Sequence, residues 1–128
     1  MHLQSFDIEK ELDVVNGWMQ ARDLYSVSRE TLPEIGFIAY ENSLPIGVAF
    51  LRQCEGGFCM GDMIITNPDA EPKYRDKALN LLFGECLRVA KARGFKAILA
   101  YSLDDKTIER LEKHGLKKSP FTYLTITF

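Results

Sequence analysis

The sequence predicts a single α/β domain with a mixed, mostly antiparallel sheet that contains one splayed parallel pair of strands and is flanked by helices. The chain has 128 residues, which suits one domain (1–128) with one hydrophobic core. Short apolar runs joined by turn residues indicate an antiparallel meander over residues 36–66. A long helix then separates two apolar runs, Phe58–Thr66 and Lys96–Tyr101, so we expect these two strands to be parallel with a right-handed crossover.

The first half of the chain predicts a strand, a helix and the meander. Leu3–Phe6 is a short strand, and Asp7 is a suitable N-cap for a helix that runs from Ile8 to Arg22. Ser28–Pro33 forms a short helical turn. The apolar stripe of the helix consists of Ile8, Leu12, Val15 and Met19. The meander consists of the strands Gly36–Glu41, Ile46–Arg52 and Phe58–Thr66, joined by the turns Asn42-Ser43-Leu44-Pro45 and Glu55-Gly56-Gly57.

The second half predicts two helices and two strands. A proline-containing loop, Asn67–Lys73, leads into a long helix, Tyr74–Arg93, which Gly94 ends. The buried strand Lys96–Tyr101 follows. The last two elements are a short helix, Lys106–His114, and a final strand, Phe121–Phe128, whose apolar and polar residues alternate.

Composition excludes several classes of function. The net charge of −2 gives no reason to expect nucleic acid or an anionic membrane as a partner. The charged N-terminus lacks the apolar core of a signal peptide, and no apolar run approaches the roughly 20 residues that span a bilayer. Three cysteines, Cys54, Cys59 and Cys86, fit neither a disulfide framework nor a zinc site. We therefore expect a cytoplasmic protein that holds no metal.

The junction between the strand Phe58–Thr66 and the long helix is the strongest functional signal. A helix that begins directly after the C-terminal end of a strand directs free N–H groups and the positive end of its dipole into one crevice, which favours an anion. Lys73, Arg75 and Lys77 surround this point and could pair with phosphates, although a solvated helix start also accounts for them.

The same region resembles the acyl-CoA-binding core of the GNAT acetyltransferases. The resemblance is sharpest over NPDAEPKYRDKALNLLFGECLRVAKARGFKAILAY and continues in DDKTIERLEKHGLKKS. In the family, a strand ends in Pro-Asp and leads through an Arg/Gln-x-x-Gly-x-Gly/Ala loop into a helix that ends in Arg-Gly-Phe. The order of elements also looks like that of short acetyltransferase-like proteins of bacterial viruses. The resemblance implies transfer of an acetyl group from acetyl-CoA to a primary amine of a small molecule or protein.

The resemblance also implies the residues that bind acetyl-CoA. Pantetheine would add to the end of the strand, the pyrophosphate would lie at Arg75–Asn80, and Asp104 takes the place of the Asn that opens the following helix. The two loop glycines of the family are replaced here by Ala78 and Asn80. The complete cofactor-binding set is Ile64, Ile65, Thr66, Lys73, Arg75, Asp76, Lys77, Ala78, Leu79, Asn80 and Asp104.

Catalytic residues follow from the strand pattern and from the resemblance. Asp62 alternates with Met60 and Ile64, and a carboxylate in an apolar row is costly unless it is paired or protonated. This predicts a general base, with an exposed position or an ion pair with an arginine as the alternatives. A bulge near Gly61 or Met63 would supply an N–H to polarise the acetyl carbonyl.

The family's general acid is absent. The resemblance places it at Leu111, so the nearest hydroxyl groups that could replace it are those of Tyr101 and Ser102. Trp18, Met19 and Tyr25 lie where the family walls its acceptor site, although core packing also explains them.

Two classes of function therefore stand: an N-acetyltransferase, or a GNAT-fold protein-binding module that has lost its chemistry. We expect the N-acetyltransferase, and the loss of both glycines and of the acid is the observation that supports the second class. The final strand, which ends at Phe128, could pair across a homodimer.

Overall fold

A computed structural model describes residues 1–102, 104–121, 124 and 126. Within these residues the elements are, in order, β1 (His2–Ser5), α1 (Ile8–Gln20), β2 (Ile35–Glu41), β3 (Leu44–Gln53), β4 (Phe58–Thr66), α2 (Pro72–Ala92), β5 (Ala97–Leu99) and α3 (Asp105–Lys113). The predicted final strand Phe121–Phe128, and with it the predicted dimer contact, falls largely outside the described residues. No described helix is long and apolar enough to cross a membrane.

The sheet follows the predicted topology. Five strands lie in the order β1-β2-β3-β4-β5. Strands β1 to β4 are antiparallel neighbours, and β4 is parallel to β5. The parallel pairing runs only from Phe58–Ala97 to Met60–Leu99. The predicted α/β fold class and the splayed parallel pair are therefore confirmed, and the second half of β4 has no partner strand on the β5 side among the described residues.

Helices cover both faces of the sheet. Helix α2 packs its buried residues, among them Ala78, Leu82 and Cys86, against one face. On the opposite face, Val15 and Trp18 of α1 pack against Phe50 and other strand residues. The sheet therefore lies between α1 and α2.

Helix α1 begins as the sequence predicts, and a buried carboxylate reinforces its start. The Asp7 side chain accepts a hydrogen bond from the Glu9 N–H at 3.0 Å, which is an N-cap contact. The Glu11 side chain, only 3% exposed, accepts from the Asp7 N–H at 2.6 Å and from the Tyr40 hydroxyl at 2.7 Å. Burial and the Glu11 carboxylate raise the pKa of Tyr40 to about 12. Glu11 therefore joins α1 to the sheet.

Two glycines provide a matched test of packing against helix propensity. A Cβ at Gly36 would overlap the ring of Phe50, which is 1% exposed, whereas a Cβ at Gly17 of α1 would meet nothing within 4 Å. We expect Gly36→Ala to lower the free energy of unfolding by about 1–3 kcal/mol and Gly17→Ala to raise it by about 0.5–1 kcal/mol. Urea unfolding measures both values, and equal effects of the same sign would contradict the assigned packing.

Candidate active site

A cleft of about 880 Å³ opens where β4 and β5 separate. The end of α1, the second half of β4, the first turns of α2, the residues after β5 and helix α3 all contribute to its walls. Ten of the predicted site residues line it: Asp62, Ile64, Ile65, Thr66, Arg75, Asp76, Leu79, Tyr101, Ser102 and Asp104. The four others, Lys73, Lys77, Ala78 and Asn80, lie outside its wall.

Strand β4 carries a bulge at the cleft, as the sequence predicts. Ile65 pairs with Val48 and Asp62 pairs with Phe50, so β4 has one residue more than β3 between these pairs. Met63 is the extra residue, and its φ of 45° lies in the left-handed region. Neither Met63 nor Ile64 has a register partner on β3. The bulge therefore turns backbone groups of β4 out of the ladder beside the cleft.

The bulge also corrects the predicted face of Asp62. Asp62 lies opposite Phe50 on the α1 face of the sheet, whereas Ile64 packs against the core on the α2 face. The predicted row of Met60, Asp62 and Ile64 is wrong because the extra residue inverts the alternation after Asp62.

Asp62 is ion-paired rather than isolated among apolar side chains. Its Oδ2 accepts from Arg52 Nε at 2.7 Å, and its Oδ1 accepts from its neighbour's backbone N–H, that of Met63, at 2.8 Å. Arg52 also donates to the Thr31 carbonyl at 3.0 Å. The alternative interpretation was an ion pair with a buried arginine; the ion pair is present, and its arginine, Arg52, is half-buried. The carboxylate, 13% exposed, still lines the cleft.

Helix α2 begins two residues before the predicted start at Tyr74, and the segment predicted to hold the pyrophosphate is helical throughout. The helix starts at Pro72 with Glu71 as N-cap, so residues 75–80 are already helical. The N–H groups of Tyr74 and Arg75 donate to the Glu71 carbonyl at 3.0 and 3.1 Å. Pro72 explains the early start, because proline favours the first helical position and its missing N–H costs nothing there.

The two residues that replace the loop glycines do not form a phosphate cradle. Ala78 is fully buried against the sheet, and the Asn80 side chain donates to the Asp76 carbonyl at 3.0 Å. A regular helix engages the N–H groups of these two residues internally, and their cofactor-binding role stays a prediction.

The predicted basic residues separate into two groups. Lys73 pairs with Glu71 at 3.0 Å, and the charge of Lys77 acts on Glu41, on the far side of α2 from the cleft. Arg75 lines the cleft, and no ion pair involves it among the described residues. Helical geometry decides this, because Lys73 and Lys77 project at other angles than Arg75.

Hydroxyl groups lie on the β5 side of the cleft. Tyr101, 57% exposed, and Ser102 line it directly after β5. The Ser102 Oγ accepts from the Asp104 N–H at 3.0 Å. Asp104 itself caps α3 by accepting from Thr107, which holds the pKa of that carboxyl below its usual range. Leu111 also lines the cleft, at the position where the family has its acid.

Solved structures with the same architecture identify the fold. A Thermus thermophilus protein is 20% identical, with a TM-score of 0.74 over 99% of this chain and 97% of that one. A GNAT-family acetyltransferase from Streptococcus pneumoniae is 14% identical, with a TM-score of 0.67 over 97% of each chain. The chain has the GNAT fold.

One structural neighbour contains coenzyme A. The N-acetylglutamate synthase from Neisseria gonorrhoeae, complexed with coenzyme A and L-arginine, is 18% identical with a TM-score of 0.71. The match covers 92% of this chain and 27% of that one. No protein-family model matches the sequence, and no curated protein is significantly similar to it.

Sequence reasoning missed three cations on the walls of this GNAT-fold cleft. Arg22 comes from the end of α1, and Lys106 and Arg110 come from α3. Arg110 bridges to Asp76 of α2 at 2.6 Å. No local pattern marks these residues, because each reaches the cleft only through the packing of its helix.

The predicted acceptor wall is only partly present. Met19 lines the cleft, whereas Trp18 is 6% exposed within the core and Tyr25 is 93% exposed outside the cleft wall. Leu24, which was not predicted, lines the cleft beside Met19. The cysteines offer no nucleophile at the site: burial raises the pKa of the Cys86 thiol to about 12 and also raises that of Cys59.

Proposed function

We propose that this protein is an acyl-CoA-dependent N-acetyltransferase that transfers an acetyl group to a primary amine. The observation that carries the proposal is the combination of the splayed β4–β5 pair with the Met63 bulge at the wall of one large cleft. The GNAT fold and the coenzyme A complex of the Neisseria gonorrhoeae neighbour support the same use of acetyl-CoA.

The unpaired part of β4 suits the pantetheine arm of acetyl-CoA. Beyond Met60, β4 has no described partner on the β5 side, and Ile64, Ile65 and Thr66 line the cleft. An extended ligand that contains amides can add to such an edge as a further strand would. Ile65 pairs with Val48 and the Asn67 N–H donates to the Ile46 carbonyl, so Ile65 turns its backbone groups towards β3. The backbone groups of Ile64 and Thr66 would therefore bind pantetheine and direct the thioester towards the bulge.

Phosphate recognition falls to side chains and to the helix dipole. Arg75 projects into the cleft from the first turns of α2, where the positive end of the dipole also favours an anion. Asp76 does not oppose this strongly, since Arg110 neutralises its charge. Without the cradle of backbone N–H groups, we expect weaker binding of acetyl-CoA than a glycine-rich loop provides.

Acetyl transfer forms a C–N bond to the amine and breaks the C–S bond of the thioester. We propose that Asp62 accepts the amine proton, through a water molecule, and that Arg52 orients its carboxylate. The N–H of Met63 already donates to Asp62, so the Ile64 N–H is the donor we propose for the acetyl oxygen. The thiolate can leave unaided near neutral pH, because ordinary thiol pKa values are about 8.5.

The acceptor is a primary amine of a small molecule or a protein. It would approach from the α1 side of the cleft, where Met19 and Leu24 lie beside the face that carries Asp62. The three cysteines are free thiols, which suits the reducing cytoplasm as the place of action.

Titration with acetyl-CoA and then turnover tests the proposal. We expect heat in calorimetry, a raised melting temperature with acetyl-CoA, and release of thiol when a panel of amines is added. If millimolar acetyl-CoA produces neither heat nor a shift in melting temperature, the proposal fails. The protein-binding module, the alternative that the sequence left open, would then be the better assignment.

Leu111→Tyr tests whether loss of the family's acid limits turnover. Leu111 lines both the cleft and an adjoining apolar cavity of about 20 Å³, so a larger ring has some space. We expect kcat to rise by about 10-fold or more, because general acid catalysis typically contributes at least about 10²-fold when it is well placed. Leu111→Phe is the matched control and should leave kcat unchanged; equal rates for both variants would show that protonation of the thiolate is not limiting.

A further inference from the structure

The charges on the wall of the cleft do not balance locally. Each of the three carboxylates there is engaged: Asp62 by Arg52, Asp76 by Arg110, and Asp104 by the start of α3. The cleft also contains cations that no described carboxylate neutralises, and two of them are arginines, Arg22 and Arg75.

Arg22 is held in place without an acidic partner among the described residues. It follows the C-terminal end of α1, and its guanidinium donates to the Trp18 carbonyl and to the Thr66 hydroxyl, both at 3.3 Å. The contact with Thr66 fixes the side chain at the last residue of β4. The remaining guanidinium N–H groups have no partner in the part of the chain that the structure describes, so part of the fork is available to a ligand.

Arg75 approaches the same place from α2. Burial, and next the charge of Arg75, lower the pKa of Arg22, which indicates that the two guanidinium groups act on each other. Like charges held together in a partly desolvated cleft are unfavourable unless an anion lies between them. Apart from the two hydrogen bonds that hold Arg22, no contact within the described residues offsets this repulsion, so an anion between the two groups would stabilise the pair.

We propose that Arg22 and Arg75 form a two-sided guanidinium clamp for the pyrophosphate of acyl-CoA. The clamp rests on the proposed function. Its two side chains, one that follows α1 and one on α2, would contact the phosphates in place of the backbone N–H groups that α2 engages internally. A guanidinium donates two parallel hydrogen bonds to a phosphate, which makes arginine pairs suited to this dianionic group. The N-terminal dipole of α2 adds to the attraction.

The position along β4 favours a phosphate over a carboxylate of the amine acceptor. Thr66 is four residues beyond Asp62, which corresponds to roughly 10–13 Å along a strand. An acceptor must bring its nitrogen to the thioester beside the bulge, so a carboxylate close to that nitrogen could not reach Arg22. The phosphates of acyl-CoA lie at the far end of the pantetheine arm and can reach it.

Calorimetry with three probes tests the clamp: coenzyme A, inorganic pyrophosphate and pantetheine, which lacks phosphate. The proteins are the wild type, Arg22→Gln, Arg75→Gln and Arg93→Gln. Arg93 is the matched control, because it is an exposed arginine at the opposite end of α2. We expect Arg22→Gln and Arg75→Gln each to weaken coenzyme A by about 10- to 100-fold, as the loss of a charge-assisted contact does.

The same variants should weaken pyrophosphate similarly and leave pantetheine unchanged, while Arg93→Gln should match the wild type with all three probes. Unchanged binding of coenzyme A and pyrophosphate by Arg22→Gln would overturn the clamp. The clamp would also be overturned if Arg22→Gln raised only the KM for an amine that carries a carboxylate, since Arg22 would then bind the acceptor.

These results separate the clamp from the proposed function. Coenzyme A binding that depends on Arg22, without acetyl transfer to any amine, would leave the clamp standing and remove the enzyme assignment. Acetyl transfer by an Arg22→Gln variant that binds coenzyme A with normal affinity would remove the clamp and leave the enzyme assignment standing. If the wild type binds neither coenzyme A nor pyrophosphate, both proposals fail.

Discussion

Asp62→Asn should lower the rate of acetyl transfer by about 10²–10⁴-fold, the usual contribution of a general base. Asparagine keeps an oxygen that can accept from the Met63 N–H, so the bulge should persist. Affinity for acetyl-CoA should change little, because Asp62 lies on the α1 face near the bulge and away from the clamp. Steady-state kinetics with a coupled thiol assay measures kcat, and calorimetry measures the affinity.

A companion variant distinguishes a base from a structural carboxylate. Arg52→Gln removes the orienting ion pair and keeps the carboxylate, so it should lower kcat by less than Asp62→Asn does. Full activity in Asp62→Asn would exclude the role and leave proximity of the bound reactants as the source of catalysis.

Glu11→Ala should lower the free energy of unfolding by about 2–4 kcal/mol, as expected when a buried hydrogen-bonded network loses its acceptor. The change would leave the Asp7 N–H and the Tyr40 hydroxyl without their acceptor, and it would also release the Gln4 amide, which donates at 3.2 Å. The melting temperature should fall by roughly 10 °C for a domain of this size. Thermal and urea unfolding followed by circular dichroism measure both quantities.

Two further variants identify the source of that loss. Glu9→Ala removes an exposed carboxylate from the same turn of α1, where it pairs with Arg29, and should change the stability by less than about 1 kcal/mol. Tyr40→Phe removes one donor to Glu11 and should cost about 1 kcal/mol. If Glu11→Ala were no more harmful than Glu9→Ala, the buried network would not be the source of stability.

Local patterns predicted most of the elements because their signals lie within a few residues of one another. Asp7 marks the start of α1 through its own side-chain contact with the Glu9 N–H. The long helix between β4 and β5 predicts their parallel pairing, since an antiparallel pair needs no such crossover. Pro72 carries a local signal for the start of α2, which the prediction placed two residues later, at Tyr74.

The candidate site was predictable in part. The alternation of β4 predicted Asp62, and the resemblance to the GNAT family implied Thr66 and Arg75; all three line the cleft. The environments of these residues could not be predicted in this way. The ion pair of Asp62 depends on a strand neighbour, Arg52, and the bulge at Met63 changes which face each residue takes.

By itself, the sequence determined the α/β class, the βαβ unit and the position of the anion-favouring junction, because periodicity, caps and turn residues act over short distances. Only the tertiary structure decided which charges meet. Arg22 reaches Thr66 across 44 positions of the chain, and Tyr40 reaches Glu11 across 29. Such contacts arise when helices pack on a sheet at a particular angle and register, and no pattern of neighbouring residues encodes them.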